Sequence, residues 1–148
     1  PKPVSRAPAA TQKRSLVRAA ISVLLQQPSL GLSLAPPYGF RDLQQPGIEL
    51  LVELLALVHA RPEISTGALL QHFAERDELA ALQKLASQAL PGNETIWRME
   101  LHDAVAQLER QTVEQRIEEL QAKNRDGGLD EADTYELRAL LQARIGRG

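Results

Sequence analysis

Apolar residues recur along this chain every three or four positions, which is the spacing of one face of an α-helix. Leu16, Ala19, Ala20, Val23 and Leu24 set that rhythm first and predict a helix from about Thr11 to Gln27, where Pro28 ends it. From Pro28 to Gln45 the rhythm is lost. Ser29 to Leu34 has room for one short turn of helix before Pro36-Pro37-Tyr38-Gly39 forbids continuation. Ile48 to Ala60 carries Ile48, Leu50, Leu51, Leu54, Leu55, Leu57 and Val58. Apolar on so much of its circumference, it predicts the central core helix. Ser65 or Thr66 then caps a short helix with Leu69, Leu70 and Phe73. Asp77 opens another with Leu79, Leu82 and Leu85, and Pro91-Gly92 closes it.

The last third is different. No Pro or Gly interrupts Asn93–Arg125, so one helix of roughly 30 residues and about 45 Å is expected. Asp126-Gly127-Gly128 breaks it, and Leu129–Ile145 reads as a second helix folding back. Ile96, Trp97, Leu101, Val105 and Leu108 continue the bundle stripe, with Trp97 and Met99 read as core residues. A polar turn, Glu109 to Thr112, marks the exit from the bundle. Val113, Ile117 and Leu120 then resume the stripe and match Leu137, Leu140, Leu141 and Ile145 on the returning helix. A helix this long outruns the bundle beside it, so a protruding hairpin with an apolar seam for a partner is expected. The pattern gives an all-α fold, a multi-helix bundle followed by a C-terminal helical hairpin whose first helix is long. Its divisions are a linker over residues 1–10, a bundle over 11–110 and the hairpin over 111–148. No strand pattern and no internal repeat is visible.

Composition sharpens this reading. The chain has 148 residues, no cysteine, 3% aromatics and a net charge of −2. Disulfides and thiolate zinc sites are excluded, and no global field draws the chain to nucleic acid. The lack of cysteine makes a cytoplasmic location the expectation, and no apolar run reaches the ~18–20 residues of a membrane helix, so no membrane association is expected. Three prolines in Pro1–Ala10 and a first residue other than Met point to a piece of a longer protein that starts in an interdomain linker.

Catalytic patterns are missing: no phosphate-binding Gly loop, no His-Glu-x-x-His, no Gly-x-Ser-x-Gly. His59, His72 and His102 lack the spacing of metal ligands and read as surface or half-buried residues. Neither a catalytic site nor a cofactor is expected within these residues. Asp130, with acidic neighbours, is placed as a helix cap. The one charged feature of interest is the first helix, where Lys13, Arg14 and Arg18 flank Val17 and Ile21. A solvated face is one reading, and a groove for an acidic peptide ending in an apolar residue is another. A nucleic-acid-binding helical module is the alternative from a different class. It lacks the aromatic interleaving that base stacking uses.

Several short runs occur in a recognisable order: Leu24-Leu25-Gln26-Gln27-Pro28, Pro36-Pro37, Pro46-Gly47, Thr66 to Phe73, Leu82 to Ala86, Gly128-Leu129, Tyr135-Glu136-Leu137, and Leu140 with Gln142. With them, the chain resembles the C-terminal helicase-binding domain of bacterial DnaG-type DNA primase. The resemblance runs from about Gln12 to Gln142. It implies that a monomeric domain tethers the primer-synthesising enzyme to the N-terminal domain of the hexameric replicative helicase of the DnaB family. Tyr135, Leu137, Leu140, Leu141 and Ile145 are the positions it implies for that contact. It also implies binding of the acidic C-terminal tail of single-stranded DNA-binding protein by Lys13, Val17, Arg18, Ile21, Lys84 and Leu85. Leu16 and Val17 depart from the polar and Met residues of the family there. The parent enzymes make RNA primers for DNA replication as nucleotidyltransferases, DNA-directed RNA polymerases. Their zinc and magnesium belong to domains upstream, and no strong direct nucleic-acid binding is implied for this part.

Overall fold

The computed structural model describes the backbone of residues 7–147 and the side chains of residues 16–145. Six α-helices and one 3-10 helix follow in order among them. They are α1 (Ala7–Gln26), the 3-10 helix (Pro28–Ser33), α2 (Ile48–Ala60), α3 (Thr66–His72), α4 (Leu79–Ser87), α5 (Glu94–Asp126) and α6 (Glu131–Arg147). The described residues contain no strand. Helix α1 thus begins before the expected cap at Thr11, and most of the linker expected over residues 1–10 lies outside the described residues.

The hub is α1 rather than α2. It packs against α2, α3, α4 and α5 and the 3-10 helix. Every residue from Ala20 to Leu25 is buried, including Ser22, whereas Ala19 is exposed. Helix α2 buries Ile48, Leu51, Leu54, Leu55 and Val58 but leaves Leu50 and Leu57 half-buried, so it covers the core from one side. Gly47, at the start of α2, has φ +91°, and a Cβ there would lie 2.8 Å from Val17 Cγ1. Only glycine meets both the left-handed backbone and that close approach of α1.

Local chemistry sets the helix ends. Ser65 accepts from Ala68 N (3.1 Å) and Asn93 from Ile96 N (3.1 Å), so both caps satisfy a free N–H of a first turn. Asp130 Oδ1 accepts from Asp133 N (2.8 Å) and caps α6 in the same way. The irregular stretch before α2 is built into the core by Tyr38, Phe40 and Leu43, all buried. Two residues of α5 break expectation: Ile96 is 43% exposed and Met99 59%. Both are turned away from the stripe that Trp97 begins against the core, and burial becomes complete only at Leu101, Ala104, Val105 and Leu108. Trp97 is half-buried and donates through Nε1 to the Pro91 carbonyl (3.0 Å).

Candidate docking surfaces

The second half of α5 and all of α6 form the expected hairpin. Asn124 O and Lys123 O accept from the amides of Gly128 and Gly127, closing α5, and Gly128 turns the chain with φ +92°. Helix α6 then runs back along α5. Ile117 and Leu120 are 2% and 1% exposed because α6 covers them. Leu137, Leu140 and Leu141 are correspondingly half-buried. The apolar seam expected to stand open is thus largely closed by the two helices themselves. Pairing of two amphipathic helices removes their own facing stripes from water first. What stays open lies on the outer face. Tyr135 and Ile145 are each 77% exposed and are the most exposed large apolar side chains among the described residues.

Ion pairs set the register of the hairpin. Arg116 donates to both carboxylate oxygens of Glu136, through Nε (2.8 Å) and another guanidinium nitrogen (2.9 Å), and also to Glu119 (3.2 Å). Lys123 reaches Asp133 (2.6 Å) and Arg144 reaches Glu114 (2.8 Å). The Arg116 hydrogen bonds hold the Glu136 carboxyl below its ordinary pKa, and the Glu136 bonds raise that of Arg116. The Lys123 ammonium is likewise raised, first by its bond to Asp133.

The second candidate surface lies where α1 and α4 pack side by side. Gln26 Nε2 donates to the carbonyls of Leu85 (3.0 Å) and Gln88 (2.6 Å) and ties the two helices together. Arg18 and Lys84 are exposed and Leu85 is half-buried. Val17 and Ile21, assigned to the apolar end of a groove, are each only 4% exposed and face Gly47. They are core residues, because α2 and its approach cover that side of α1. Lys13 lies outside the residues whose side chains are described.

The histidines have structural partners. His59 Nε2 is shared between the carbonyls of Gly31 (3.1 Å) and Leu34 (2.6 Å). His102 donates to Ser33 Oγ (2.7 Å), which itself donates to the Leu30 carbonyl. His72 pairs with Glu53 (3.0 Å). Glu53 also accepts from Arg76, whose bond is the first cause of its lowered pKa, and Arg76 lies over the Phe73 ring at 4.7 Å. Among the described residues no three His, Cys, Asp or Glu side chains are grouped to hold a metal ion, and no helix is long and apolar enough to cross a membrane.

A family model described as "DNA primase DnaG DnaB-binding" matches residues 17–140. The chain belongs to that family. Among its relatives, the DNA primase of Escherichia coli (strain K12) is 31% identical over 139 residues. That alignment covers 94% of this chain and 24% of the relative. The DNA primase of Salmonella typhimurium is 33% identical over 140 residues, with the same shares covered. The chain therefore spans about a quarter of the length of the curated relatives it matches. Among solved structures, the DnaG primase C-terminal domain from Vibrio cholerae superposes with a TM-score of 0.73 at 32% identity. That match covers 86% of this chain and 92% of the other. Tyr135 lies inside the range matched by the family model while Ile145 lies beyond it.

Proposed function

We propose that this chain is the docking module of a DNA primase and that its hairpin tethers the primer-synthesising enzyme to the replicative helicase of the DnaB family. The observation that carries the reading is a two-helix arm, closed on itself, that still holds Tyr135 and Ile145 almost fully in water. Burying one large apolar side chain against a partner contributes about 1.5–3 kcal/mol. A few such contacts reach the ~8 kcal/mol of a micromolar complex, and several sites on one helicase ring add avidity. Leu137, Leu140 and Leu141 contribute by holding α6 in place and with the edges they leave exposed. Titration against the helicase N-terminal domain tests this. Tyr135→Ala with Ile145→Ala weakens binding by at least ~10-fold without lowering the melting temperature; unchanged affinity removes the arm from the interface.

A second role fits the α1–α4 face. Arg18 and Lys84, exposed on helices that pack together, suit the carboxylates of the acidic tail of single-stranded DNA-binding protein, with Leu85 beside them. Such a contact weakens with salt. Arg18→Ala and Lys84→Ala each reduce affinity for a tail peptide several-fold, and affinity unchanged from the parent chain in both variants rejects the assignment.

A further inference from the structure

Between Leu108, wholly buried in the bundle, and Ile117, buried under α6, α5 crosses a joint. None of residues 109–116 is fully buried. Open grooves of about 840 Å³ and 830 Å³ flank the helix there, so water reaches both its sides. The stretch holds one apolar side chain, Val113, and it is only half-buried, so the close packing seen at Leu108 and Ile117 lapses between them. In its place stand amide hydrogen bonds to the loop before α2. Gln115 Oε1 accepts from the Gln44 amide (2.7 Å), and Gln115 Nε2 donates to the Asp42 carbonyl (2.9 Å). One turn earlier, Gln45 Nε2 donates to Gln111 Oε1. The loop they grip is itself secured to the core by Phe40 and Leu43. Within the joint, Thr112 Oγ1 donates to the Leu108 carbonyl (2.7 Å), a back-bond that competes with the helical ladder and eases bending.

We infer that this glutamine clasp, Gln111 and Gln115 held to the backbone and side chain of residues 42–45, fixes the angle at which the hairpin leaves the bundle. Its bonds are neutral, two of them exposed and the Gln45–Gln111 bond part-buried, and each is individually weak, so the clasp is reversible. Gln115 is the more informative half, because its one side chain both donates and accepts. Gln111 and Gln115 are positioning residues: they touch no partner surface proposed above, yet they decide how it is presented. A partner that engages only one arm angle binds the intact clasp more tightly by the fraction of chains already at that angle.

The chain has no cysteine, so cysteines introduced at exposed Ala56 and Asn124 take spin labels at chosen places. From the joint to Arg125 the arm is about 20 Å long at 1.5 Å per residue, and a ~20° bend displaces its tip by about 7 Å. The parent chain gives one narrow distance distribution between the labels. Gln111→Ala with Gln115→Ala broadens or shifts it by ~5 Å or more on the same geometry. Gln115→Glu, which keeps the acceptor and loses the donor, gives an intermediate width, while Gln107→Ala, on the same groove but outside the clasp, matches the parent. Should the double variant unfold, Gln115→Glu is read alone. Distributions in the clasp variants that superpose on the parent's overturn the inference. The readout needs no helicase, so it stands or falls apart from the docking role.

Discussion

Gly47 shows how tightly single positions are specified. A methyl group there meets Val17 Cγ1 at 2.8 Å and forces a side chain into a left-handed backbone. Gly47→Ala is expected to cost about 1–3 kcal/mol, read as a lower denaturation midpoint at unchanged slope. Phe73, fully buried beneath Arg76, is expected to cost about 3–5 kcal/mol on change to Ala, by loss of burial and the cavity left. Residue-scale features of this kind were unequally legible. The cap at Asp130, and that at Ser65 or its neighbour Thr66, could be read because their chemistry spans three residues, whereas the cap at Asn93 came only with the structure. Val17 and Ile21 could not be placed on the core side, since which flank of α1 is covered depends on Gly47 thirty residues away. Met99 and Ile96 carry core composition, yet they lie on the water side of the first turns of α5, away from Trp97. Tyr38, Phe40 and Leu43 escaped because a loop enters a core without periodicity.

At the scale of elements, the hairpin is held by Ile117 and Leu120 and by ion pairs across it. Glu136 has its pKa lowered in the folded chain, so its pairing with Arg116 stabilises the hairpin above the ordinary carboxyl value of 4.5. That contribution is lost as pH falls through the lowered folded value. For a pair this exposed it amounts to about 0.2–1 kcal/mol. An acid titration of the melting temperature should fall over that window, and Glu136→Gln should remove that part of the slope. Ile117→Asp should open the hairpin outright, seen as lost α6 helicity, because it puts a charge into the seam. Both helices and their Gly-Gly break were readable from the sequence. The extent to which the seam closes on itself was not, as pairing geometry decides which apolar stripes remain in water.

The whole molecule joins a bundle centred on α1 to an arm that leaves through a polar joint. The bundle supplies a fixed base, and the Gln–loop bonds set where the arm points. The arm leaves two large apolar side chains open, Tyr135 toward its tip and Ile145 back near the joint. In the proposed tether, a primase module of this DnaB-binding family meets its helicase through that arm. The most direct measurement is a titration of the helicase N-terminal domain with the chain lacking Leu137–Gly148, beside a melting curve of the same chain. Binding lost with the bundle transition retained is the predicted result; a complex formed with undiminished affinity would contradict the tethering role of the hairpin.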